Sequence, residues 1–162
     1  MGLDMMLMRK VYVKNWEHEP KEKHNEIIIK QNGKIRDDIR TKKIKHVVEE
    51  VMYWRKFNAL HQYIVENFND DIDDCREIYL DIDDIKKILN TLKEIKNEPK
   101  KASDLMPTQS GFFFGSTDYD GYYFKDVEDT IEVFEDLIET EEKYFIEKEY
   151  DKLGEFYYIA SW

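Results

Sequence analysis

The sequence predicts an α+β domain in which a mainly antiparallel sheet packs with about three helices. Two observations carry that prediction. Short strand-like segments open and close the chain, with longer segments of helical spacing between them. Their order, β, ββ, α, β, α, an irregular stretch, α, β, is that of an α+β domain rather than of a strictly alternating parallel one. At 162 residues, 41% hydrophobic and 14% aromatic, the chain is one domain's worth and can build a core despite 38% charged residues.

Residues 3–13 place Leu3, Met5, Leu7, Val11 and Val13 at odd positions, which reads as a strand. Residues 15–25, with Pro20 and many charges, read as a loop. The run Ile27-Ile28-Ile29 followed by Asn32-Gly33 predicts a hairpin, because Asn-Gly supplies the positive φ values of a tight two-residue turn. The spacing predicts a helix over 47–68. At about 100° per residue, Val47, Tyr53, Trp54, Phe57, Leu60, Ile64, Val65 and Phe68 share one half of the wheel. His61 lies near the centre of that half, with Arg55, Asn58 and Gln62 along one border.

Glu77 to Leu80 reads as a short strand, and Asp81 with Asp84 as a capping box opening a helix to about residue 97. Pro99 ends it. A further acidic helix is predicted over about 126–142, and 155–162 reads as a terminal aromatic strand. Nothing divides the chain, so 1–162 is read as a single domain.

No apolar run approaches the roughly 20 residues that span a bilayer. The N-terminus lacks a basic leader and does not read as a signal peptide. Met6 stands where a myristoylation signal needs Ser or Thr. Cys75 is the single cysteine, so neither an internal disulfide nor a cysteine zinc site is expected. The net charge is −11, and it is uneven: residues 1–60 hold 14 Lys/Arg against 9 Asp/Glu, residues 61–162 hold 11 against 27. Free double-stranded DNA is therefore not an expected partner, whereas a basic protein surface is.

Two blocks concentrate the chemistry. Residues 107–124 hold three of the six glycines and seven aromatic residues. Thr108, Ser110, Ser116 and Thr117 add hydroxyls, and Gly111, Gly115 and Gly121 permit close approach. That composition fits a binding surface or a tightly folded core turn. The second block is Tyr53 to His61, where Arg55 and Asn58 offer planar hydrogen bonds and Tyr53 and Trp54 offer stacking area. Trp54, Phe57 and Ile64 also have ordinary core spacing, and His61 fits a hydrogen-bonded core histidine as well as a functional one.

Other motifs fail. Counted from Asp71, an EF-hand loop needs Gly at its sixth position and Glu at its twelfth, and the chain has Arg76 and Ile82. Gly111 to Ser116 matches no phosphate loop, and no basic residue lies between Pro107 and Phe124. No catalytic set, metal-ligand set or cofactor fingerprint is expected.

Three blocks carry a resemblance: Met-Gly-Leu-Asp-Met at 1–5, Tyr-Trp-Arg-Lys-x-Asn-x-x-His at 53–61, and Pro-Thr-Gln-Ser-Gly-Phe-Phe-Phe-Gly-Ser at 107–116 with Tyr119 and Asp120. Together they resemble a family of small proteins encoded by bacteriophages and prophages, over the whole length to Ser161-Trp162. Members usually carry an aromatic residue at the place of Met6. The resemblance implies a phage accessory protein that counteracts a host defence or regulatory system in the host-cell cytoplasm. It carries over no catalytic residues.

The leading expectation is non-catalytic sequestration of a nucleotide-like signal in a pocket between the 47–68 helix and the 107–124 segment. Its candidate ligand-binding residues are Tyr53, Trp54, Arg55, Asn58, His61, Thr108, Ser110, Gly111, Phe113, Gly115, Ser116 and Tyr119. The alternatives are an acidic inhibitor that imitates nucleic acid for a basic host defence protein, using the 14 Asp/Glu of 118–151, and an enzyme degrading a signal nucleotide. Contact between the two blocks is the sharpest structural expectation.

Overall fold

A computed structural model describes residues 2–147 and 154–162. Its elements run β1 (Asp4–Tyr12), β2 (Lys30–Gln31), β3 (Lys34–Ile35), β4 (His46–Arg55), α1 (Asn58–Phe68), β5 (Ile78–Leu80), α2 (Ile82–Asn97), α3 (Ala102–Leu105), α4 (Gly121–Glu147) and β6 (Glu155–Ser161). Strands β4-β1-β6-β5 form one antiparallel sheet and β2-β3 a separate small hairpin, so the architecture is α+β as the sequence predicts.

Most local signals act where they are read. Asn32 and Gly33 take φ of 51° and 78° in the β2-β3 turn. Asp81 accepts from the Asp84 amide at 2.8 Å and Asp84 returns the bond to the Asp81 amide at 3.2 Å, closing the capping box of α2. Asp120 caps α4, its Oδ1 accepting from the amides of Tyr122 and Tyr123 at 2.9 and 3.2 Å. The acidic helix thus starts earlier and runs longer than 126–142.

One element is different. Residues 46–55 are a strand paired with β1, not the first half of a helix over 47–68. Val47, Val48, Val51, Tyr53 and Trp54 all favour a pleated surface, and nine of the ten residues pair in register with β1, Val51 being skipped at a bulge. The wheel pattern arises because an apolar-rich stretch satisfies both periods. Lys56, with φ 63°, turns the chain from β4 into α1 without a glycine.

The sheet has two unlike faces. Met5, Leu7, Trp54, Ile78, Leu80, Phe156, Tyr158 and Ala160 are buried beneath the helices. Trp54 donates its indole N–H to Thr130 of α4 at 2.8 Å and meets Phe134 edge-on. Helix α2 adds Ile85, Ile88, Leu89, Leu92 and Ile95 to the same core. Alternation sends Asp4, Met6, Met8, Tyr53, Arg55, Tyr79, Tyr157 and Ile159 to the other face.

Asp126, on α4, is pushed up to about 6 by burial, with Asp129 and Asp120 adding to the shift against Lys125. The folded state therefore holds this proton more tightly than the unfolded chain does. Stability from the group is complete below the unperturbed 3.8 and is lost as pH rises through about 6. Asp126→Asn is expected to stabilise the protein at neutral pH by about 1 kcal/mol, after a discount for partial exposure. Urea midpoints at about pH 4.5 and about pH 7 should lie closer together in the variant; an unchanged gap would clear Asp126 of this role.

Candidate binding surface

The two sequence blocks meet, and Asn58 is the hinge of the contact. Buried at the start of α1, it donates from Nδ2 to the carbonyls of Phe114 and Ser116 at 2.9 and 2.8 Å. Its Oδ1 accepts from the Gln109 amide at 2.8 Å. The Leu3 amide donates to Phe113 O and the Lys56 amide to Leu3 O, each at 2.9 Å, so the start of β1 lies between the blocks. Gly115, at φ 89°, leaves 3.1 Å between the place of a Cβ and the Lys56 side chain. A larger residue there meets both strain and crowding.

What meets is filled. Phe114 is buried edge-on to His61 and Trp162, so its ring fills the seam between α1 and 107–124. Gly111 approaches the Phe114 ring to 3.0 Å at the Cβ position. The hydroxyls serve the loop itself: Thr108 donates to Thr117 O at 2.9 Å, and Ser116 Oγ accepts from the Asp118 amide at 3.0 Å. The Thr108 amide donates to the Tyr119 hydroxyl at 3.1 Å. Ser110 is exposed and Phe113 half-buried, while Phe112 stands 95% exposed at the tip and Tyr122 82% exposed at the start of α4.

Buried His61 lies between Asp73 and Tyr158, with Nε2 at 3.1 Å from Asp73 and Nδ1 at 2.7 Å from the Tyr158 hydroxyl. Since a carboxylate only accepts, Nε2–H donates to Asp73, and Nδ1 shares a hydrogen bond with the Tyr158 hydroxyl. Burial raises the Tyr158 phenol well above its ordinary value, aided by Asp73 and Cys75, and keeps it protonated. The adjoining void is about 10 Å³, the space of one water at most. Both His61 nitrogens are thus occupied by structural bonds.

Trp54 lies in the core, so it offers no ring to solvent. Tyr53 and Arg55 point the other way, onto the outer face of the sheet, where both bond Asp4. The Arg55 contact measures 2.6 Å. The Tyr53 hydroxyl and then Arg55 hold Asp4 below the usual carboxylate range. Beyond them the face continues through half-buried Met6, Met8, Tyr157 and Ile159 to exposed Tyr79, and the long helices all lie on the opposite side. Sequence reasoning missed this surface. Its signal is that β1 and β6 are apolar at both parities.

Two further surfaces carry charged side chains. A cleft of about 1160 Å³ opens between Tyr79, Asp81, Lys86, Glu142 and Gly154. Residues 148–153, and with them the end of the acidic 118–151 stretch, lie outside the described residues. On α4, lysines of α2 pair with three carboxylates: Lys86–Glu142 and Lys93–Glu135 at 2.6 Å, Lys96–Glu128 at 3.6 Å. Glu132, Asp136 and Glu139 remain exposed on the far side. No family model, curated protein or solved structure matches the chain.

Proposed function

We propose that this chain is a phage accessory protein that counteracts a host defence or regulatory system by non-catalytic binding of a protein partner. The outer sheet face is the surface that engages it. The observation that carries this reading is the outer-face row of half-buried Met6, Met8, Tyr157 and Ile159 with exposed Tyr53 and Tyr79, on a sheet whose other face packs against the helices. Met and Tyr are enriched in interface cores, where charged residues are depleted. A contiguous apolar surface of this kind on a folded domain is a common mark of an interaction site. The polar side chains that suggested chemistry, Asn58 and His61, are committed to internal bonds, which favours binding over turnover.

A nucleotide-like signal is the second reading, favoured by the exposed rings of Phe112 and Tyr122, which offer stacking area to solvent. One experiment separates the two. The protein is expressed in host cells carrying individual defence systems, and plaque numbers are compared with a Met8→Glu/Tyr157→Glu variant that melts at the same temperature. Loss of counter-defence by at least about 30-fold is expected, since interface anchors contribute 2 kcal/mol or more. Undiminished protection by the variant sinks the proposal. If cyclic nucleotides raise the melting temperature of both proteins equally, the ligand reading replaces it.

A further inference from the structure

Residues 13–45, between β1 and β4, form an arm in which no residue is buried. The arm carries 10 Lys/Arg against 6 Asp/Glu, whereas the rest of the chain carries 15 against 30. Its cations concentrate at 30–45, with seven against the two acids Asp37 and Asp38. At its base, Tyr12 and Trp16 stack at 6.3 Å and 15°, and Trp16 is 43% exposed. His46 meets Tyr12 edge-on, and the Val13 amide donates to Lys45 O at 2.9 Å, which sets the lysine-rich strand entry beside the stack. The turn presenting Trp16 is fixed: Asn15 and Asn25 exchange bonds of 2.7 and 2.8 Å, and Asn25 also donates to Val13 O.

From this geometry we infer a second site: the Tyr12–Trp16 platform and the lysines around it bind single-stranded nucleic acid. An unpaired base stacks on the indole while Lys14 and Lys45 meet the flanking phosphates; aromatic rings along a basic path are the usual means of holding single strands. Lys14 now sits with Nζ 4.8 Å from the Trp16 ring centroid. A solvent-exposed cation–π contact is weaker than a stacked base, so Lys14 yields the ring and turns to the phosphate. Glu19 is already engaged, accepting from the Trp16 amide at 3.0 Å. Glu17 and Glu22 oppose a polyanion, which makes the 30–45 cations necessary. A duplex offers its phosphates but no free base face, and the acidic body repels it.

The test is fluorescence anisotropy of the full chain with oligouridylate and oligothymidylate of about 20 nucleotides and a duplex of equal length. Readings are taken at about 50 and about 200 mM salt, with heparin as competitor. Either single strand is expected to bind at least tenfold tighter than the duplex, and the preferred one identifies RNA or DNA as the source. Trp16→Ala should weaken binding roughly tenfold or more. Lys42→Glu/Lys43→Glu should weaken it and flatten its salt dependence. Undetectable binding at low salt overturns the inference. So does a Trp16→Ala variant that binds as well as the parent, or one from which heparin displaces the strand no differently, since the arm would then attract any polyanion, acidic proteins included.

Discussion

Replacing Asn58 by alanine is expected to lower the unfolding free energy by about 2–4 kcal/mol, a large effect for a residue that adds little apolar packing. The amide makes three bonds to one loop, at Gln109, Phe114 and Ser116, from a position that is 3% exposed. Removing it leaves two carbonyls and an amide without partners, each costing about 1–3 kcal/mol where water cannot reach. Ser116 and Gln109 lie nearer the surface and recover part of that by hydration. For a chain of this size the melting temperature should fall by roughly 5–15 °C. Asn58→Asp should be no better, because it discards both donors and turns carboxylate oxygens toward two carbonyls. Protease should cut the variants within 107–120 under conditions that leave the parent intact. An alanine variant that melts with the parent and resists cleavage would show that the loop is held by something else.

The Asn58 clamp also marks how far the sequence could be read. That 53–61 and 107–124 touch was legible, because a glycine-rich aromatic stretch without charge needs a partner. Whether they touch across a cavity or through a filled seam was not. That depends on Phe114 turning inward and Phe112 outward, and both are phenylalanines in one glycine-flanked turn. The capping box of α2, the Asn-Gly hairpin and β1 were legible because each is decided within a few residues. Strand β4 was not. Its side chains fit a helical wheel and a pleat alike, and the choice is made by β1, some forty residues away. The break at Lys56 is equally hidden, since a lysine at positive φ leaves no signature in sequence.

Trp54 and Tyr53 turn that point into the second large prediction. In a helix over 47–68 they share the apolar half of the wheel, and truncating either would damage the core. In β4 they point to opposite faces, so their effects should separate. Trp54→Ala removes a side chain that is 2% exposed and packed on Phe134, and should cost about 3–5 kcal/mol. Thr130 keeps a partner after the loss, donating to Asp126 O at 2.6 Å, so the cost is the cavity rather than an orphaned hydroxyl. Tyr53→Ala removes a ring that is 46% exposed, and its bond to Asp4 is backed by Arg55; the expected cost is about 1 kcal/mol or less. Urea unfolding of both variants measures the difference directly. Equal costs would contradict the β1–β4 register. The asymmetry reverses for function: Tyr53 stands on the outer face and Trp54 does not. Tyr53→Ala should therefore weaken partner binding in a protein that remains folded, while Trp54→Ala should weaken it only in proportion to the fraction unfolded.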